Sequence, residues 1–175
     1  MNALIHVAVA IAVLFAARSQ GPARPEVPES LNAPAGEEVI LAAHATGVQI
    51  YVCQLGADQK FAWVFKAPEA KLTDARGKKI AHHFAGPTWK HADGSEVKGK
   101  VIAKQDAPKP HAIPWLLLSA TSHSGEGTFS RVTSIQRIHT KGGMPPSASK
   151  CDAPANGKES RKAYSADYYF YAPQR

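Results

Sequence analysis

Apolar residues fall in short runs along this chain, separated by Gly, Pro, Asp and Lys. Most runs alternate with a period of two. In 48–54 (VQIYVCQ), Val48, Ile50 and Val52 share one face, and Tyr51 and Cys53 the other. In 61–66 (FAWVFK), Phe61, Trp63 and Phe65 lie together, the pattern of a strand with one side buried. In 164–171 (YSADYYFY), Tyr164, Ala166, Tyr168 and Phe170 do the same. The run 113–120 (IPWLLLSA) is almost wholly apolar and predicts a strand buried on both faces, with Pro114 at its start. Segments 38–43 and 97–102 predict further strands. Phe129, Val132, Ile135 and Ile138 recur at every third position. Their Ser, Thr and β-branched neighbours predict a strand with a bulge. Turns are expected at Gly47, at 56–58, at 74–77 and at Asp93-Gly94. No long amphipathic helix and no solenoid period is visible. The expectation is an all-β fold, an antiparallel β-sandwich or small barrel of about eight to ten strands with one disulfide.

The ends read differently. Residues 3–17 are apolar apart from His6, too short a run for a comfortable membrane span. With Ala17-Arg18-Ser19 they predict a signal peptide over 1–19. No Lys or Arg precedes the run, and an uncleaved anchor is the alternative. Residues 20–35 carry four prolines and predict an extended lead-in, followed by a single β-domain over 36–175. Cys53 and Cys151 are the only cysteines. An even pair in an exported chain predicts a disulfide, with two buried free thiols as the alternative. The expected location is secreted or periplasmic, with no membrane insertion after cleavage. Removing 1–19 takes one base and no acid, so the formal charge falls from +7 to +6. That charge suits anionic surfaces or a solvated basic face. No nucleic-acid motif is present.

Residues 82–95 (HHFAGPTWKHADGS) carry the densest chemistry. His83, His91 and Asp93 form a candidate metal set, since imidazole and carboxylate suit zinc or copper. Against it, His82 and His83 face opposite sides of any strand, Gly86-Pro87 breaks the register, and HExxH is absent. No cofactor is implied, and no GxSxG elbow marks a hydrolase. Trp89 is the best candidate ligand contact, aimed by a rigid Gly86-Pro87 turn, with His83, His91, Asp93 and Ser95 beside it. Trp63 and Trp115, in apolar strands, are expected in the core. Arg137, between Ile135 and Ile138, is read as outward-facing, with a buried carboxylate such as Asp167 as its alternative partner.

The order of motifs is distinctive. It runs GVQIYVCQ (47–54), a Trp before Ala-Pro (63–68), HFAGPTW (83–89), DGS (93–95) and IPWLLL (113–118). It continues with IQRxxTxGGxP (135–145), Cys151 and YSADYYFY (164–171). The chain resembles the exported family catalogued as domain of unknown function 3455, over roughly residues 27–171. The resemblance implies a secreted protein and no established activity. His83, Gly86, Pro87, Trp89, Asp93, Gly94 and Ser95 match the family pattern. His82, His91 and His139 are particular to this chain, which argues against a three-histidine family metal site. Some fungal relatives carry the label malate dehydrogenase. No GxGxxG follows a strand here, so the sequence gives that label no support. The expected function is a non-catalytic module that binds a small molecule or glycan through 83–95. The alternatives are a metal-dependent or hydrolytic enzyme using His83, His91 and Asp93, and a structural envelope protein.

Overall fold

The computed structural model describes residues 21–174. The expected signal peptide lies outside them. Eight antiparallel strands follow one another around a closed barrel. They are β1 (Glu37–Leu55), β2 (Phe61–Thr73), β3 (Lys79–Phe84), β4 (Thr88–His91), β5 (Glu96–Gln105), β6 (Trp115–Ser124), β7 (Ser134–Gly142) and β8 (Glu159–Pro173). The first strand closes on the last. Val39 lies opposite Tyr171 and Val52 opposite Glu159. In this up-and-down order, connections alternate between two ends. Loops 56–60, 85–87, 106–114 and 143–158 share one end. Loops 74–78, 92–95 and 125–133 share the other.

Alternation sorts the side chains as the barrel requires. On β8, Tyr164, Ala166, Tyr168 and Phe170 point into the interior cluster with Ala43, Leu72, Trp89, Val97 and Ile135. On β6, Leu118 joins that cluster, while Trp115 and Leu117 join a second one outside the wall. This outer cluster is capped by the lead-in. Leu31, at the end of a one-turn 3₁₀ segment (Glu29–Leu31), packs there with Ala33, Val39, Ile138 and Tyr171. The Gln136 amide donates to the Leu31 carbonyl at 2.6 Å and accepts from the Tyr171 hydroxyl at 2.5 Å. A strand buried on both faces is therefore right for IPWLLLSA, and Trp115 is core.

Three local expectations are corrected. Gly47 is no turn, because β1 runs straight through it. An added Cβ there would stand 2.1 Å from the Glu69 carbonyl oxygen, so glycine lets β1 and β2 approach closely. Phe129 and Val132 lie not on a bulged strand but in the loop before β7. Both are fully buried, closing the barrel at that end. On β2 the aromatic face is only partly covered: Trp63 is half-buried and Phe65 is 50% exposed. The Trp63 indole N–H reaches the Ser147 carbonyl at 3.3 Å, on the excursion that carries Cys151.

The disulfide is present. Cys53 at the end of β1 and Cys151 are bonded, with Cα atoms 5.4 Å apart.

Candidate functional site

The β3–β4 hairpin is short and its neighbours are long. β3 has six residues and β4 four, against thirteen in β2 and ten in β5. Ala70 pairs with His83, and Lys98 with Thr88. Residues 61–68 and 100–105 therefore run on past the hairpin tip. The wall is notched there, and Phe65, Lys66 and Val101 stand exposed beside the gap. Gly86 and Pro87, at the hairpin tip, form its sill. Gly86 holds φ at +91°, a conformation that suits glycine. Behind the notch lies a cavity of about 190 Å³. Eight-stranded barrels are just wide enough to fill with side chains or to hold one small ligand.

The cavity floor comes from six strands, β1, β3, β4, β6, β7 and β8. Cross-strand pairing sets His83 opposite Trp89, and their rings stack at 4.4 Å with planes 4° apart. Tyr168 of β8 meets both rings edge-on, at 5.4 Å from His83 and 5.7 Å from Trp89. Trp89 continues through Phe170 to Phe129, an aromatic column that fills the barrel down to its closed end. Gln49 of β1 and Arg137 of β7 complete the floor, with Leu116 and Leu118 as the apolar side.

The polar atoms of this floor are poorly partnered. The Gln49 amide nitrogen, Trp89 Nε1, Arg137 Nε and the Tyr168 hydroxyl are buried without a hydrogen bond. So is the Tyr164 hydroxyl. Tyr164 lies beside Tyr168 and Gln49, and Tyr168 beside Arg137, near enough for hydrogen-bonding influence on their ionisation, but the strict geometry of a hydrogen bond is met at none of the Gln49 amide nitrogen, Arg137 Nε or the two hydroxyls. The Arg137 guanidinium donates to the Pro114 carbonyl at 2.8 Å. It forms no ion pair among the described residues. Thus neither sequence expectation for Arg137 holds. Asp167 is engaged instead by His44 at 2.7 Å and His139 at 2.9 Å.

Burial sets the protonation states. Desolvation lowers the His83 pKa to about 3; the hydrogen bond to the Thr88 carbonyl opposes the shift, and the Arg137 charge adds to it. A carbonyl only accepts, so Nδ1 carries the proton at 2.9 Å from Thr88 O, and Nε2 keeps its lone pair. Desolvation likewise raises Tyr168, which stays a neutral O–H. A titration follows. Unfolded His83 takes a proton near pH 6.5, whereas the folded ring resists until about 3. Between those values the unfolded state binds more protons, so stability falls as pH is lowered through that window. Substituting His83→Phe is expected to flatten this part of the profile, read by urea unfolding at pH 7 and pH 4.5. An unchanged slope would rule the titration out.

The other expected site residues lie elsewhere. The segment 83–95 runs from the notch to the closed end of the barrel, so His83 and Trp89 reach the cavity, while His91, Asp93 and Ser95 lie toward the closed end. There Asp93 is a structural tie. It accepts from Ser95 N–H at 2.9 Å, Ser95 Oγ at 2.5 Å, Thr128 N–H at 2.8 Å and Thr128 Oγ1 at 2.7 Å. Desolvation would raise its pKa, but these four bonds together outweigh it and hold the carboxyl well below its ordinary range. Ser95 in turn accepts from Phe129 N–H at 2.9 Å. The DGS motif thus fastens the loop that closes the barrel. His91 Nδ1 lies 2.9 Å from Asp93 Oδ2. His83 is not brought to them, and no group of three metal-ligating side chains occurs among the described residues.

Of the candidates read from the sequence, His83 and Trp89 line the cavity; Gln49, Phe65, Arg137 and Tyr168 line it too and are not candidates there. One signal was available. Arg137 shares strand parity with Ile135, which is wholly buried in the interior cluster, so its side chain had to point inward too.

No curated protein and no solved structure matches the chain. A family model does, over residues 34–172, and its description is "Protein of unknown function (DUF3455)". The match takes in all eight strands but for the last residue of β8, so this chain belongs to the family of domain of unknown function 3455.

Proposed function

We infer that the protein is a non-catalytic binding module that holds one small molecule in the notched barrel. One observation carries the reading: four residues with buried hydrogen-bonding atoms that lack partners, Gln49, Trp89, Arg137 and Tyr168, line a cavity that opens between β2 and β5. Unmet buried polar groups cost stability, on the order of 1–3 kcal/mol each. A fold that keeps several together is spending stability on recognition. The walls favour a flat, largely apolar molecule over a glycan. Pro87, Val101, Leu116 and Leu118 offer no hydrogen bonds from their side chains, whereas a sugar ring needs donors and acceptors all round. The metal-dependent alternative lacks a group of three ligating side chains among the described residues. The disulfide favours an oxidising compartment, in keeping with export. Among the described residues no helix is long and apolar enough to cross a membrane.

The test is a thermal-shift screen of small aromatic and aliphatic compounds, followed by NMR of the Trp89 indole and the His83 ring. A true ligand at 100 times its Kd adds about 2.7 kcal/mol of stability and moves both signals. If no compound moves either, the reading fails.

A further inference from the structure

The cavity also specifies a ligand chemistry, on the reading that it is a binding site. Its unpartnered atoms are unequal in kind. Gln49 Nε2, Trp89 Nε1 and Arg137 Nε can only donate. Tyr168 is a neutral hydroxyl and can donate as well. The acceptors on offer are few: the tyrosine oxygen, the Gln49 amide oxygen and the free nitrogen of His83. A complementary molecule is therefore rich in acceptors where it meets this floor.

Charge narrows the class. No Asp or Glu lines the cavity. Lys66, at the rim, is already paired with Glu159. His83 is neutral. Arg137 is thus the one cation at the floor without a carboxylate partner among the described residues. A guanidinium beside buried donors is matched by a carboxylate, which accepts through two oxygens and supplies one negative charge. Size narrows it again. A dry cavity of roughly 150 Å³ accepts benzene. The space here is about 190 Å³ and is apolar on one side. That leaves room for one ring and one small substituent.

We propose that the cavity binds single-ring carboxylates, the carboxylate against Arg137 and Gln49 and the ring against Pro87, Val101 and Leu118. Arg137 selects for the charge, and the notch between β2 and β5 is the route in.

The experiment compares benzoate, benzamide and acetate on the oxidised protein, by titration followed through the Trp89 indole resonance. Benzoate is expected to bind saturably, at least tenfold tighter than benzamide, which keeps the ring and loses the charge. Acetate keeps the charge and loses the ring, and is expected to be weaker still. Arg137→Gln is expected to weaken benzoate by roughly 30-fold or more, and benzamide by much less. Benzamide binding as tightly as benzoate would overturn the proposed charge selection, yet leave the cavity a binding site. Acetate matching benzoate would overturn the role of the ring. If Arg137→Gln does not fold, the comparison on the unaltered protein still decides, with Gln49→Leu as a second variant. Silence from all three probes overturns the carboxylate proposal. Silence from the wider compound screen as well removes the binding reading beneath it.

Discussion

Replacing both cysteines by alanine is expected to lower the stability of the barrel by about 4–5 kcal/mol. The bridge joins residues 98 apart in sequence, so it removes a large loop's worth of freedom from the unfolded chain. In the folded state it ties down a segment with few other holds. Between β7 and β8 the chain makes two 3₁₀ turns (Ala148–Lys150 and Ala153–Ala155) with no buried residue. Its contacts with the barrel include Trp63 Nε1 to Ser147 O, Gly157 N–H to Cys53 O at 2.8 Å, and Cys53 N–H to Lys158 O at 3.0 Å. Urea unfolding of the double variant, compared with the oxidised protein, measures the loss. A difference below about 1 kcal/mol would show that the unfolded chain is already restricted in this region, contrary to the loop-entropy account.

Trp89→Ala is expected to cost a further class of stability, about 3–5 kcal/mol. Trp89 is 1% exposed and touches His83, Tyr168 and Phe170. Truncation removes the stacked partner of His83 and the middle of the aromatic column. The void would merge with the cavity beside it, so the site has little means of collapsing around the change. Gly99 packs against the same ring, where an added Cβ would meet it at 3.3 Å. Two readouts separate packing from recognition. Chemical unfolding gives the stability loss, and the His83 pH profile reports whether the imidazole has become solvated. A loss of less than 1 kcal/mol would mean that the column is not continuous. Trp89→Phe, which keeps an aromatic face, is expected to recover much of the stability.

Alternation in YSADYYFY correctly named the four interior residues of β8, because a barrel wall enforces inside and outside at every second position. The same rule failed for Phe61, Trp63 and Phe65. Those residues lie where the wall has no neighbour on one side, and an incomplete sheet leaves an apolar face uncovered. The every-third spacing from Phe129 to Ile138 fits two structures in succession, a buried loop and then a strand, which one period could not describe. From the sequence, Trp89 reads as a ligand contact aimed by the Gly86-Pro87 turn. It is a core residue that also lines the cavity, a double role that only the strand register of the hairpin reveals. Arg137 escaped because linear sequence does not say which residues face it from β1, β4 and β8. Closure of the barrel brings them together from far apart in the chain.

Closure also fixes the order in which the fold can form. The seam joins β1 to β8, so β1 keeps one bare edge until the last fifteen-residue strand exists. A bare edge is a template for any other chain's strand, and pairing partners this remote in sequence is slow. The covalent bridge sits at one end of the seam, next to the pair Val52 and Glu159. Only residues 152–158 separate Cys151 from the start of β8. Oxidation therefore turns a search between distant segments into a zipper that starts at Val52 and runs toward Glu37. In an oxidising compartment the same bond that stabilises the finished barrel also selects the right last strand over a stranger's.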